Sequence, residues 1–116
     1  MNHRRKGKIL KREKGPRKAL INGLMRSVVM TKAITTTETK GKAIRPLLEK
    51  LITKELSGTL AGHRAVIAAI GPDAASRLKK DIVPSIGGRK SGFLRITKLG
   101  MRKSDATRMV QVSFVD

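Results

Sequence analysis

Nineteen net positive charges on 116 residues constrain this chain more than any other feature. A folded domain of that size repels itself at such a charge unless a polyanion neutralises it. Nucleic acid is the usual polyanion, because contacts to phosphate release condensed counterions and drive binding without reading sequence. The excess is uneven. Residues 1–18 set nine bases (Arg4, Arg5, Lys6, Lys8, Lys11, Arg12, Lys14, Arg17, Lys18) against Glu13, a net of +8. Residues 85–104 carry six (Arg89, Lys90, Arg95, Lys98, Arg102, Lys103) and no acid, a net of +6. The larger middle, 19–84, also nets only +6. Two short segments thus hold most of the charge, which describes interaction surfaces; charge serving solubility alone would be spread evenly.

The first segment offers little to bury, with Ile9 and Leu10 as its large apolar residues and Gly7 and Gly15 interrupting any helix. Residues 1–15 are therefore expected to form a basic arm, disordered alone and ordered on RNA, ahead of one globular domain over 16–116. A transit peptide would be Ser-rich, and this segment has neither Ser nor Thr. No run approaches the ~18 apolar residues of a membrane span, and no signal-peptide pattern follows the basic start, so the expected location is the cytoplasm. The absence of cysteine excludes disulfides and thiolate chemistry.

Hydrophobic spacing predicts the elements. Pro16 suits a helix start, and Leu20, Leu24 and Val28, with Ile21, Met25 and Val29 beside them, mark a stripe over 17–31. Ala33 to Thr37 is β-branched and predicts a strand. Thr37 then N-caps a helix over 38–56, with Ile44, Leu47, Leu48, Leu51, Ile52 and Leu56 on its apolar face and a kink or break at Pro46. A third helix spans 60–69, and a short fourth opens at Asp73 with Ala75, Leu78 and Ile82 inward. After Pro84 the period becomes two. Leu94 and Ile96 oppose Arg95 and Thr97, and Val110, Val112 and Phe114 alternate with Gln111 and Ser113, predicting antiparallel strands over 92–99 and 107–115. The order α-β-α-α-α-β-β describes an α+β fold, a small sheet covered on one face by helices.

Catalytic, cofactor and metal chemistry find little support. His3 and His63 lie in different elements with no acid at ligand spacing, and His63 reads as a helix-surface side chain. Glu49 and Glu55, six residues apart, do not share a helical face closely enough for acid–base work. Gly87-Gly88-Arg89-Lys90-Ser91-Gly92 lacks phosphate-loop spacing and feeds a strand, so it reads as a flexible basic loop against an RNA backbone. With two aromatic residues in the chain, and only Phe93 free of the alternating core pattern, a stacking platform is ruled out. Recognition should therefore be of shape and backbone, by many Lys and Arg contacts.

These segments coincide with a known family. His3-Arg4, Lys6-Gly7-Lys8, Arg17-Lys18-Ala19-Leu20, Ile34 to Thr36 with Lys40, Lys42 and Arg45-Pro46, Glu49 to Thr53, then Gly92, Arg95-Ile96, Lys98, Arg102 and Val115-Asp116 resemble the bacterial large-subunit ribosomal protein family numbered seventeen. The match runs across essentially the whole chain. It implies helices on a small mixed sheet and a structural component of the large subunit. The implied partners are large-subunit ribosomal RNA and neighbouring ribosomal proteins. His3, Lys40 and Arg45 thereby join the fifteen bases above as expected RNA contacts. Pro16, Gly23 and Leu94 stand where the family has histidine, asparagine and threonine, which puts contacts at those positions in question. The competing reading is a free-standing nucleic-acid binder such as a DNA-compacting protein.

Overall fold

The computed structural model describes residues 13–115. Helix α1 (Lys14–Thr31) begins earlier than the apolar spacing predicts, so Lys14 and Gly15 are already helical. Pro16 falls in its first turn, where backbone N–H groups have no intrahelical partner to lose. Ile21, Met25, Val28 and Val29 are its buried stripe, flanked by the partly buried Leu24. Lys32 ends the helix in the left-handed region (φ 69°) and donates its N–H to the Val28 carbonyl at 2.7 Å.

Strand β1 (Ala33–Thr37) passes directly into α2 (Glu38–Leu56). The Thr37 hydroxyl accepts the Lys40 N–H at 3.4 Å, as expected of the N-cap. Helix α2 is not broken at Pro46. The proline cannot donate to the Lys42 carbonyl, but both residues are exposed, so water can take its place. The apolar face is narrower than predicted: Ile44, Leu48, Leu51 and Ile52 are buried, whereas Leu47 points outward and is 42% exposed.

Helix α3 (Leu60–Ile70) leads through Gly71 into α4 (Pro72–Arg77), a π-helical turn (Leu78–Ile82) and α5 (Val83–Ile86). The helical path therefore continues past Pro84, where the sequence predicts an end. In α geometry Pro84 would strike the Lys80 carbonyl and leave it unbonded. The wider turn just before it, in which the Val83 N–H reaches back to the Leu78 carbonyl, relieves that conflict. It also keeps Ala74, Ala75, Leu78, Ile82 and Ile86 on the buried side.

Strands β2 (Leu94–Met101) and β3 (Arg108–Phe114) form the predicted hairpin. The sheet order is β1-β3-β2 and both pairings are antiparallel. The mixed sheet that the resemblance implies is thus corrected to an antiparallel one. β1 and β2 run the same way but never touch, because β3 inserts between them. The element order and the placing of helices on one face agree with the sequence reading.

Helix α2 packs on all three strands, α1 and α3 pack against it, and α1, α3 and α4 pack against one another. A Cβ on Gly41 would stand 2.8 Å from Val110 Cγ2 and 3.2 Å from Val112 Cγ2, so glycine is what lets α2 lie this close to β3. Among the described residues, no helix is long and apolar enough to cross a membrane.

Candidate nucleic-acid interface

Pleating decides where the cations of the hairpin go. Successive strand side chains point to opposite faces. On β3 the positions facing the helices are Phe114, Val112, Val110 and then Arg108; on β2 they are Leu94, Ile96 and then Lys98, paired across the ladder with Val110. Val110, Val112 and Leu94 are buried and Ile96 and Phe114 pack against them. Where the row runs past the beginning of α2 it changes from apolar to basic. Leu99 is the extra residue of a bulge between Lys98 and Gly100, after which Met101 pairs with Arg108.

The basic end of this row faces Glu38 and Lys42 on the first turns of α2. Two clefts meet there. One, of about 350 Å³, is lined by Thr37, Glu38, Thr39, Lys42, Thr107 and Arg108. The other, of about 400 Å³, is lined by Glu38, Lys42, Arg45, Ile96, Lys98 and Val110. Glu38 and Lys42 belong to both, so the clefts form one groove with four cations on its walls and a single carboxylate. That carboxylate is recessed, its side chain 15% exposed, while Lys42 Nζ, 2.8 Å from Glu38 Oε1, stands at the mouth with 54% exposure. The Lys42 hydrogen bond holds the Glu38 carboxyl below its ordinary range; partial burial opposes this, and the charges of Lys42, Lys98 and Arg108 reinforce it. Arg45 pairs with Glu49 at 3.5 Å. Among the described residues, Lys98 and Arg108 have no carboxylate partner within ion-pair distance.

The structure scatters the other expected RNA contacts. His3, Arg4, Arg5, Lys6, Lys8, Lys11 and Arg12 lie outside the described residues. Lys14, Arg17 and Lys18 occupy the start of α1, and Arg89 and Lys90 an exposed loop between α5 and β2. Lys40 is half-buried on the first turn of α2. Arg95 projects from the outer face of the sheet, opposite to Lys98, because the step of three positions between them is odd. That outer face is otherwise uncharged, with Thr35, Thr97, Gln111 and Ser113 on it. Lys103 is exposed in the hairpin loop, but Arg102 is committed within it. Its Nε and Nη2 donate to Asp105 Oδ1 and Oδ2 at 3.1 and 2.7 Å, and Oδ1 also accepts the Thr107 N–H at 3.2 Å. These bonds, Arg102 first, drive the Asp105 carboxyl far below its ordinary range.

Two expectations are corrected. Phe93 is not free: it is 2% exposed in the core, with its carbonyl accepting the Val115 N–H at 2.9 Å. His63 is not simply a solvated surface residue. Its Nδ1 donates to Glu55 Oε1 and Oε2 at 2.9 and 3.1 Å, and Glu55 is buried. The helix turn between α2 and α3 brings together residues eight apart that share no periodic face, so spacing could not show the pair.

Lys42 and Arg108 are the groove residues absent from the expected contacts. The four-residue step from Glu38 to Lys42 was a visible signal of an ion pair. For Arg108 the alternation ending Phe114, Val112, Val110 was the available clue. Arg26, by contrast, is structural: its Nη1 donates to the Ile70 carbonyl at 3.0 Å, ending α3, and Nη2 stands 3.7 Å from Asp73 of α4.

Comparison with known proteins gives one consistent result. The family model described as ribosomal protein L17 matches residues 20–115. The large ribosomal subunit protein bL17 of Methylacidiphilum infernorum is 39% identical over 117 residues, covering 100% of this chain and 89% of its own. The protein of the same description from Gemmatimonas aurantiaca is 37% identical over 116 residues, covering 99% and 98%. That of Mesorhizobium japonicum is 38% identical over 117 residues, covering 100% and 82%.

Proposed function

This chain belongs to the ribosomal protein L17 family, and from that premise we propose that it is a structural constituent of the large ribosomal subunit which holds large-subunit ribosomal RNA mainly through phosphate contacts. Its role is structural and not enzymatic, and its place is in the ribosome, a cytoplasmic particle in bacteria. Neighbouring large-subunit proteins are its protein partners.

The observation that carries the RNA-backbone reading is the distribution of charge over the fold. Cations stand at the start of α1, in the 89–90 loop, on the hairpin and along the groove, while Phe93 is buried and Phe114 packs against the core. A surface of this kind grips phosphates in several directions at once and leaves neither phenylalanine ring free to stack bases. Residues 1–15 act as a basic RNA-binding arm, whose last two residues are wound into α1, and residues 16–116 as the domain that positions it.

The test is sedimentation of cell lysate at moderate and then high salt, following the protein by antibody. Stoichiometric travel with the large subunit through the high-salt wash is expected, because many simultaneous contacts survive screening that removes loosely adhering cations. Release at modest salt, or sedimentation with chromosomal DNA, overturns the reading.

A further inference from the structure

Glu38 is out of place in a surface built to hold phosphate. It is the one acid in the groove, it sits on the floor between Lys42, Lys98 and Arg108, and its charge repels the very ligand those cations attract. Half of an answer is internal, since its Oε1 fixes the Lys42 ammonium at 2.8 Å. That contact leaves most of the acceptor capacity of the carboxylate unused, because two oxygens offer about four lone-pair sites. A recessed acceptor flanked by cations matches one repeating ligand: a sugar–phosphate backbone that presents anions and a hydroxyl donor by turns. Only RNA supplies that donor, as the 2′-hydroxyl.

We propose that the groove between the start of α2 and the outer half of the β2–β3 hairpin seats a stretch of RNA backbone, with Lys42, Lys98 and Arg108 on phosphates and the Glu38 carboxylate accepting a ribose 2′-hydroxyl. This rests on the RNA-binding reading above and adds to it a device that distinguishes RNA from DNA without touching a base. The cations come from two elements facing each other across the groove, so they flank the strand and do not merely line one side of it. Their spacing is maintained by Gly41, which sets how near α2 approaches β3. Thr37, Thr39 and Thr107 border the same cleft, and threonine hydroxyls are suitable donors to non-bridging phosphate oxygens.

The test uses the full chain bound to labelled large-subunit ribosomal RNA and challenged with two competitor duplexes of one sequence. One is unmodified RNA; the other carries fluorine in place of every 2′-hydroxyl, which keeps the A-form and the phosphates but removes the donor. The wild type should prefer the unmodified duplex by about tenfold, the range of one hydrogen bond to a charged group. Glu38→Ala should abolish that preference, and Glu38→Gln, whose amide oxygen still accepts, should keep part of it. Lys42→Ala, Lys98→Ala and Arg108→Ala should weaken both duplexes equally, each lowering the salt slope by ~1. Equal competition by both duplexes for the wild type, a preference that survives Glu38→Ala, or no competition at all overturns the groove while leaving ribosomal RNA binding intact. Loss of wild-type binding to the labelled RNA instead removes the underlying reading. Unchanged melting temperatures of the Glu38 variants separate both results from misfolding.

Discussion

In the inner half of the β2–β3 hairpin, Leu94, Ile96, Val110, Val112 and Phe114 point toward the helices and enter or line the core. In the outer half the same face carries Lys98, Met101 and Arg108, all exposed. The two halves obey one alternation and belong to one pair of strands. What differs is the cover: α2 overlies the first and begins beside the second. A strand's period therefore assigns a side chain to a face, but whether that face stabilises the fold or meets a ligand depends on where the covering helix ends. The chain uses this economically, because the cations at the open end are held by the same ladder that holds the valines.

The sharpest way to break the comparison is to cut the covered side. Leu48→Ala removes a fully buried side chain of α2, and chemical denaturation should report a loss of ~2–5 kcal/mol. The exposed Leu47→Ala beside it should change stability by less than ~0.5 kcal/mol; equal costs would remove the narrow apolar face described above. Next in size is the contact between the two layers. Gly41→Ala places a methyl group against Val110 and Val112 and should cost ~1–3 kcal/mol by overpacking. Because the groove depends on that spacing, the same variant should also weaken RNA binding, unlike Leu47→Ala.

His63→Ala leaves the buried Glu55 carboxylate without its imidazole partner and should cost ~1–3 kcal/mol in thermal or urea unfolding. A variant as stable as wild type would show that water replaces the ring. The smallest effects belong to the open end of the hairpin. Asp105 is held ionised by Arg102 and Thr107, so its folded-state affinity for protons is lower than in the unfolded chain. Its contribution is then complete above the ordinary carboxylate range of about 4 and fades only as pH falls through its depressed native value. Amide exchange at Arg102 and Thr107 should therefore stay slow, relative to Asp105→Asn, down to about pH 4. Matching exchange in the two proteins would mean that the loop is ordered by its backbone bonds alone.

Much of this architecture is legible from spacing. The stripe of α1, the Thr37 cap, the alternation of β2 and β3 and the seven-element order all rest on interactions a few residues apart, which a sequence displays directly. The errors share a different cause. Leu47 and Phe93 are apolar residues whose exposure depends on what packs over them: against the expectation from spacing, Leu47 faces outward and Phe93 inward. At Pro46, where a kink or a break is expected, α2 runs on unbroken beside the exposed Lys42. At Pro84, where the period is expected to change, a widened turn lets the helical path continue to Ile86. His63 and Glu55 meet only because two helices fold back at Gly58, whose φ of 72° admits the turn.

The sequence by itself determined that this protein is a polycation with a small aliphatic core, that helices precede a hairpin, and that only two aromatic residues, both Phe, are present. Each follows from composition or from a local period. Only the tertiary structure decided that β3 lies between β1 and β2, that Arg95 and Lys98 serve opposite faces, and that Lys42, Lys98 and Arg108 converge on Glu38. Those depend on strand register and on the point where α2 stops covering the sheet, and both are set by contacts between residues far apart in the chain.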